Sequence, residues 1–443
     1  MDADGKGFSI IKTKKQRQKP NDTSMESIIN FYGFRSVLRS ILLCAFLCSL
    51  GCKTKKEQSA NTLMTDEVVF SKGSFGYDRE FLSKHYKDLV VLENGESGIL
   101  ISPELQGRVM TSTASGDEGK SFGWINHDLI ASGEKKEHFN PTGGEERFWL
   151  GPEGGQYSLF FEKDAKFELD NWYVPKELDT EAFNLVRRTE DKAYFERDMK
   201  LVNYTGTTFD LRVQRNITLL AKEDVAEILG IGIPESVKMV GYASENNLTN
   251  IGPEDWDKKS GLMSIWILSM FNSSDQSTII VPFKKGDEDI LGKKVTDDYF
   301  GKIPKERLQV QDSVLFFKAD GKERGKIGIS PQRALPVIGS FDAKNRVLTI
   351  AMFSLPEGAT DYVNSLWELQ EFPFSGDAVN AYNDGGGLGP FYELESSSPA
   401  LDLKSNESSS HIHQTFHFVG DEGELEKLAK GILGVSIKEL LSE

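Results

Sequence analysis

Apolar residues in this chain are grouped, from about residue 68 onward, into short runs that Gly, Asn, Asp and Pro interrupt. Such runs are typical of β-strands, and a pair such as Asn94-Gly95 favours a hairpin turn. Apolar spacing of the helical kind is scarce, so the alternating helices of a parallel α/β fold are not expected. The pattern therefore predicts an all-β (mainly β) antiparallel sandwich. The clearest runs are residues 89–92, 99–101, 209–217, 263–270, 278–283, 314–317 and 347–353.

The end of the chain has a different pattern. Apolar residues between Leu425 and Ile432 recur at the spacing of one helix face, and Gly434 follows them. Glycine is favoured just after the C-terminus of a helix. We therefore expect a short C-terminal helical segment at the end of one domain that spans residues 68–443.

The residues before this domain resemble an export signal. Residues 1–24 are polar and basic, and the signal pattern begins only at Met25, which we interpret as the start of translation. Residues 25–52 contain an apolar stretch too short to span a bilayer and end in Ser-Leu-Gly-Cys, which resembles a bacterial lipobox and predicts lipidation of Cys52. A plain signal peptide or a short anchor is the alternative. Residues 53–67 are polar, as expected of a tether.

The cysteine content and the net charge limit the kinds of ligand and partner that the protein can bind. The three cysteines, Cys44, Cys48 and Cys52, all precede the domain, which therefore has no thiol for a disulfide, a metal or a nucleophile. The formal net charge is −16. The first 51 residues carry eight basic and four acidic side chains, so the rest of the chain has a net charge of −20. Such a surface repels nucleic acid and favours a neutral or cationic ligand.

Residues 389–418, near the C-terminus, contain most of the side chains that could transfer protons. Read as two strands, this segment places Glu393 and Glu395 on one face of the first strand, and His411, His413 and His417 on one face of the second. Carboxylates and imidazoles move protons near neutral pH, so Glu395, Glu393 and His413 are the predicted catalytic residues. His411 and His413 could also share a metal with one of the glutamates, the alternative being that they only pack in the sheet. No other cofactor is predicted.

Residues 141–157 combine charge with a large aromatic side chain between two pairs of glycines. An indole packs on the C–H groups of a sugar, while arginine and carboxylates bind its hydroxyls. Glu145, Arg147, Trp149 and Glu153 are therefore predicted to bind carbohydrate. The alternative is that Trp149 belongs to the core and Arg147 pairs with a neighbouring glutamate at the surface.

A polar turn follows later in the chain. Asn383 and Asp384 precede three glycines, a composition typical of a flexible turn. If this turn lies at the mouth of the site, Asn383 and Asp384 would contact sugar hydroxyls.

The order of these motifs resembles that of the galactose mutarotase-like supersandwich. Gly107-Arg108 follows an early strand, and Leu394-Glu395 stands shortly before Pro399, as comparable pairs do in aldose 1-epimerases. The resemblance implies that Glu395 is the catalytic base and that Arg108 lies at the substrate site. The domain also resembles an uncharacterised family of bacterial lipoproteins, through GGEERFWLGPEGG, NAYNDG and GPFYELESSSPA.

The catalytic acid of the epimerases has no counterpart at its usual place. Those enzymes carry an acid histidine in the middle of the chain, whereas no histidine occurs here between Asp164 and Ser410. His127 and His138, which come earlier, are the remaining candidates.

Three functions fit these observations. The first is an epimerase or mutarotase relative that uses Glu395. The second is a non-catalytic carbohydrate-binding lipoprotein that uses Trp149 and Arg147, and the third is a polysaccharide lyase or hydrolase that uses Glu145, Glu153 and Glu395. In each case we expect a monomer with a carbohydrate ligand, no nucleic-acid partner, and contact with a membrane through the lipid anchor only. The protein would be anchored in the outer membrane and face the periplasm or the cell surface.

Overall fold

Antiparallel strands dominate residues 69–441, which are the residues that the computed structural model describes. The strands are β1 (Val90–Asn94), β2 (Ser97–Ser102), β3 (Arg108–Thr113), β4 (Arg147–Gly151), β5 (Asn184–Arg188), β6 (Lys192–Val202), β7 (Thr208–Leu219), β8 (Lys238–Asn250), β9 (Ser264–Asn272), β10 (Ser277–Pro282), β11 (Leu308–Val310), β12 (Val314–Lys318), β13 (Gly325–Ile329), β14 (Val337–Asp342), β15 (Val347–Phe353), β16 (Val379–Asn383), β17 (Phe391–Ser397) and β18 (Ser408–Val419). The helices are α1 (Phe75–His85), α2 (His127–Ser132), α3 (Lys176–Asp179), α4 (Lys222–Leu229), α5 (Glu288–Leu291) and α6 (Glu422–Leu433), with short 3-10 helices at Pro103–Leu105, Leu169–Asn171 and Ile437–Leu441.

Within residues 69–441 the strands form three antiparallel sheets. The largest has ten strands in the order β11-β12-β10-β14-β15-β18-β8-β7-β6-β5, the second has five in the order β13-β16-β17-β9-β4, and the third is β1-β2-β3. The five-stranded sheet packs on the ten-stranded sheet, as the hydrogen bond between Tyr392 of β17 and Ser340 of β14 shows. The prediction of a mainly β, antiparallel sandwich is confirmed.

Burial separates the outer from the inner strands. Residues of β7 alternate between buried and less buried positions, as expected of a strand with one face toward solvent. Nearly every residue of β9 and β17 is buried. One face of these two strands meets the ten-stranded sheet, so the other face must be covered by neighbouring segments, and this second face carries the candidate site.

A buried ion pair lies inside the sandwich. The Arg215 guanidinium donates to a Glu146 carboxylate oxygen at 2.5 Å, and both side chains are fully buried. Arg215 also donates from Nε to the side-chain oxygen of Asn246 at 2.8 Å. Burial raises the pKa of Glu146 to about 7, although the charge of Arg215 opposes this rise. Because both side chains are buried away from water, each charge is stabilised mainly by the other.

Helix α6 confirms the predicted C-terminal helical segment. Leu425, Leu428 and Leu433 on one helix face are buried in the same apolar cluster as Ile350 and Phe418 of the ten-stranded sheet. The helix ends at Gly434, whose φ of +72° is readily adopted by glycine.

Residues 1–24, 25–52 and 53–67 lie outside the described residues. The export signal, the tether and the lipidation of Cys52 therefore remain predictions. Between residues 69 and 441, no helix combines the length and the apolar character that crossing a membrane requires.

Candidate functional site

The five-stranded sheet forms the floor of the site, because one face of each strand points the same way. Arg147 of β4 lies opposite Leu268 of β9, which lies opposite Glu395 of β17. Tyr382 of β16 lies between Glu393 of β17 and Lys326 of β13. Since alternate residues of a strand share a face, residues far apart in the sequence meet on one surface.

This surface is the floor of a cleft of about 500 Å³. Its lining is rich in aromatic and aliphatic side chains, with a smaller number of charged groups between them. The lining side chains include Phe139, Arg147, Trp149, Glu153, Leu169, Trp172, Trp266, Phe300, Arg324, Lys326, Trp367, Tyr382, Asp384, Leu388, Phe391 and Glu393. An apolar cleft with a few convergent polar groups is the usual form of a small-molecule site.

Arg147 and Glu393 form one hydrogen-bonded pair on the floor. The arginine donates to Glu393 Oε1 at 3.2 Å, and its guanidinium lies 4.2 Å from the Trp149 ring centroid. The Nε and Nη1 groups of Arg147 have no hydrogen-bond partner among the described residues. Burial raises the pKa of Glu393 to about 8, so this carboxyl holds a proton at neutral pH.

Glu395 and Lys326 form the second pair. Glu395 Oε2 accepts from Lys326 Nζ at 2.9 Å and from the Trp266 indole N–H at 2.8 Å. The lysine also lies 4.7 Å from the Trp266 ring centroid. Glu395 is fully buried, and its other oxygen, Oε1, has no hydrogen-bond partner among the described residues. The ammonium and the indole N–H therefore both hold this side chain through Oε2.

Two further acids complete the charged groups around the floor. Burial raises the pKa of Glu153, which also hydrogen-bonds the side chain of Trp367. The carboxylate of Asp384 accepts from the Tyr382 hydroxyl at 2.8 Å and from the Leu388 amide at 3.1 Å. Asp384 therefore fixes the glycine-rich turn at the mouth of the cleft.

The arrangement has the parts of an acid–base pair. Glu393 and Glu395 are two residues apart on one strand, which separates their side-chain origins by roughly 7 Å. Burial raises the pKa of the Glu393 carboxyl, whereas Glu395 Oε2 accepts from the Lys326 ammonium and Glu395 Oε1 has no hydrogen-bond partner among the described residues. A protonated carboxyl can donate a proton, and a carboxyl oxygen without a partner can accept one.

A model of the DUF6786 family, described as a family of unknown function, matches residues 73–443. The chain belongs to the DUF6786 family. The match covers the cleft and the five-stranded sheet that forms its floor. A search of curated proteins finds no significant match.

Several solved structures are similar to this DUF6786 member at low sequence identity. A galactose mutarotase-like protein from Lactobacillus casei is 9% identical, with a TM-score of 0.43 over 74% of this chain and 99% of that one. A galactose mutarotase related enzyme from Lactobacillus acidophilus is 10% identical, with a TM-score of 0.43 over 75% and 98%. A Synechocystis protein is 12% identical, with a TM-score of 0.46 over 75% and 96%.

Five of the predicted site residues of this DUF6786 chain line the cleft. They are Arg147, Trp149, Glu153, Asp384 and Glu393. Glu395 lies on the same face of the sheet and bonds two residues of the lining, so the structure brings it into the same site. The alternative that Arg147 pairs with a neighbouring glutamate at the surface is wrong, because its partner is buried and 246 residues away. The other part of that alternative is right, since Trp149 is 3% exposed and also belongs to an apolar core cluster.

Arg108, Glu145 and Asn383 lie elsewhere, which corrects their assignment to the substrate site. Arg108 is buried and donates to the Gly143 carbonyl at 2.7 Å, so it holds the loop before β4. Glu145 accepts from Ser112 at 2.7 Å inside the sandwich, and the hydrolase hypothesis therefore loses one of its carboxylates. Asn383 accepts from the Gly321 amide at 2.9 Å and fastens two turns together.

The histidines of β18 lie on the other side of the five-stranded sheet. His411 Nε2 and His413 Nδ1 hydrogen-bond the Ser396 hydroxyl at 2.8 and 2.9 Å, and His413 Nε2 hydrogen-bonds Ser269 at 3.2 Å. Ser396 faces away from Glu395 because adjacent residues of a strand point in opposite directions. His413 is thus not a cleft residue, and the hypothesis of a metal shared with Glu393 or Glu395 is corrected. Between residues 69 and 441, no cluster of three or more potential metal ligands is found.

The two earlier histidines are also outside the cleft lining. His127 Nε2 lies 2.7 Å from the Asp78 carboxylate, and His138 stacks on Tyr173 with ring centroids 4.0 Å apart. Neither is placed to act as the acid on the cleft floor.

Burial of His411 and His413 predicts a loss of stability in mild acid. Their pKa values fall to about 3 because burial disfavours the charged ring, whereas the unfolded value is 6.5. The unfolded chain therefore binds protons in this window and the folded chain does not. The free energy of unfolding should fall by up to about 1.4 kcal/mol per pH unit and per histidine between these pKa values.

Urea unfolding at pH 7.5 and pH 5 measures this effect. The double variant H411Q/H413Q should show a smaller difference between the two pH values than the unchanged protein. H85Q is the matched control, since His85 is exposed on α1. An equal pH dependence in H411Q/H413Q and the unchanged protein would contradict the prediction.

Sequence patterns missed several residues of the cleft. Lys326 is a single lysine in a short strand, and Trp266 stands in an otherwise ordinary apolar run. Arg324 lies just before β13 with no motif around it. The one available signal was strand alternation, which places Lys326 on the face opposite Ile327 and thus away from the apolar core.

Proposed function

We propose that the cleft binds a carbohydrate and transfers protons at its anomeric centre. The observation that carries this proposal is the pair Glu393 and Glu395, which share one strand face beneath aromatic walls, Glu393 with a raised pKa and Glu395 in contact with the Lys326 ammonium. The finer activity, a mutarotase-like or epimerase-like isomerisation, follows from what these two groups can do.

Aromatic side chains would bind the sugar. Trp149 and Trp266 form an edge-to-face pair with ring centroids 5.5 Å apart, and Phe139 adds an edge-to-face contact to Trp149 at 5.5 Å. Trp172 and Trp367 line the same cleft. Rings of this kind pack on the C–H faces of a pyranose, while Arg147 offers N–H groups to its hydroxyls.

Proton transfer can be written with these groups alone. Glu395 takes the proton of the anomeric hydroxyl, and Glu393 donates its proton to the ring oxygen, which breaks the bond between that oxygen and the anomeric carbon. The open-chain aldehyde then rotates and closes on either face. On closure, Glu395 returns its proton to the aldehyde oxygen and Glu393 recovers one from the hydroxyl.

Lys326 would position the base. Its ammonium contacts Glu395 at 2.9 Å and holds the carboxyl group in place. The same contact favours a second candidate, a non-catalytic carbohydrate-binding protein. Oε2 of Glu395 already accepts from two donors, so this oxygen is not free to take a proton from a sugar. Activity then depends on Oε1, the oxygen that has no partner among the described residues.

The N-terminal sequence supports an exported location for this activity. We propose that Cys52 carries a lipid and that the cleft faces the periplasm or the cell surface. The intact mass of membrane-extracted protein tests this proposal, since an unmodified Cys52 would contradict it.

Anomer interconversion tests the proposed reaction. Proton NMR of the full chain with a panel of freshly dissolved monosaccharides should show faster interconversion than the sugar alone. The rate should fall as pH rises through about 8, because Glu393 then loses the proton that it donates. Ligand shifts without acceleration would instead support the binding protein, and neither shifts nor acceleration with any sugar would contradict both.

A further inference from the structure

The polar groups on the cleft floor already have partners within the floor. Lys326 contacts Glu395 at 2.9 Å, and Arg147 contacts Glu393 at 3.2 Å. The carboxylate of Asp384 accepts hydrogen bonds from its own turn. Because each cation of the floor contacts a carboxyl group, the floor suits an uncharged sugar ring with hydroxyl groups.

Arg324 differs from the other charged residues of the cleft. Among the described residues, its guanidinium makes no ion pair or hydrogen bond, and the nearby acid that feels its charge is Glu153. The guanidinium carbon lies 3.6 Å from the Phe300 ring centroid and 6.0 Å from that of Tyr382. A guanidinium stacked on a ring keeps its N–H donors in its own plane, where they can bind a planar anion.

The mouth of the cleft around this cation is apolar. Leu169, Phe300 and Leu388 line it, and their side chains are 66%, 43% and 41% exposed. They come from three separate segments, so their exposure is not the property of one loop. Trp172 and Trp367 stack in the same lining with ring centroids 6.0 Å apart. Exposed apolar surface of this extent is typical of a binding site.

We propose that the mouth of the cleft binds an acidic sugar unit, whose carboxylate or sulfate is held by Arg324, next to a neutral unit on the floor. The ligand class is then an oligosaccharide of two or more units that carries an acidic group. This inference rests on the proposed carbohydrate function and deepens it.

Local and overall charge act differently on such a ligand. The chain after residue 51 has a net charge of −20, which would favour a neutral ligand at long range. At physiological salt, charges separated by more than about 8 Å are largely screened. The nearby guanidinium of Arg324 therefore decides whether an acidic unit is favoured at the mouth.

Titration calorimetry of the full chain with matched trisaccharides tests the inference. One trisaccharide is neutral, the second carries a uronic acid, and the third carries a sulfate ester on the same unit. An acidic trisaccharide should bind roughly five- to tenfold more tightly than the neutral one, as a charge-assisted contact at an exposed site allows. The comparison of the two acids shows which anion Arg324 prefers.

R324Q should remove this preference, because it should lower the affinity for the acidic trisaccharides far more than the affinity for the neutral one. R187Q is the matched control, because Arg187 is an exposed arginine on β5 that stacks on Tyr194 at 4.1 Å outside the cleft. Equal binding of neutral and acidic sugars, or a preference that survives in R324Q, would overturn the inference and leave the proposed function standing. Failure of all sugars to bind would contradict the proposed function itself.

Discussion

Changing Glu395 to glutamine is expected to slow anomer interconversion by roughly a hundred- to ten-thousandfold, the range of a lost general base. Sugar binding should change little, because the amide oxygen can still accept from the Trp266 indole, which donates to Glu395 at 2.8 Å. The measurement is the interconversion rate by NMR together with affinity by titration calorimetry. Loss of rate with retained affinity would assign the base.

Two variants control this experiment. Removal of the carboxylate leaves Lys326 without its counter-charge, so E395Q/K326M separates lost stability from lost chemistry. E245Q removes an exposed carboxylate on β8 and should behave as the unchanged protein. If E395Q keeps the full rate, Glu395 is not the base, and a binding function becomes the better account.

Changing Arg215 to methionine should destabilise the protein by about 3–5 kcal/mol, as expected when one partner of a buried ion pair is removed. Glu146 would keep its buried position but lose the charge that contacts it at 2.5 Å. Its pKa, already raised to about 7, should rise further. The loss in the free energy of unfolding should therefore be larger at pH 8.5, where burial opposes the ionisation of Glu146, than at pH 6.

The double variant R215M/E146L is the control for this prediction. It replaces both charges by apolar groups, which should recover most of the lost free energy of unfolding. Urea unfolding measures all three proteins. A loss below about 1 kcal/mol in R215M would contradict the mutual dependence of the two charges.

Strand alternation accounts for the parts of the site that were predictable. It placed Glu393 and Glu395 on one face of β17, and His411 and His413 on one face of β18, as the structure has them. Alternation is a property of the extended backbone, so it does not depend on what the strand packs against. It does not say which face meets the other sheet, and for this reason the histidines were wrongly grouped with the glutamates.

Contacts between distant segments were not predictable. Arg147 and Glu393 are 246 residues apart, and only sheet topology brings them together. Local pattern also failed at Glu145, because Gly143 and Gly144 with φ of +86° and +114° turn the chain just before it. Such values are readily adopted by glycine. Strand β4 begins only at Arg147, so Glu145 lies in the bend before the strand and the alternation that would have placed it beside Arg147 does not include it.

Strand β17 separates two chemically different regions of the protein. Glu393 lines the cleft and Glu395 lies on the same face in contact with Trp266, while Ser396 on the other face bonds His411 and His413. An insertion or deletion of one residue within β17 would exchange these faces, exposing serine to the ligand and driving carboxylates into the histidine layer. Side chains of this segment can therefore change during evolution more readily than its length, and new specificities should arise in the turns around the mouth of the cleft.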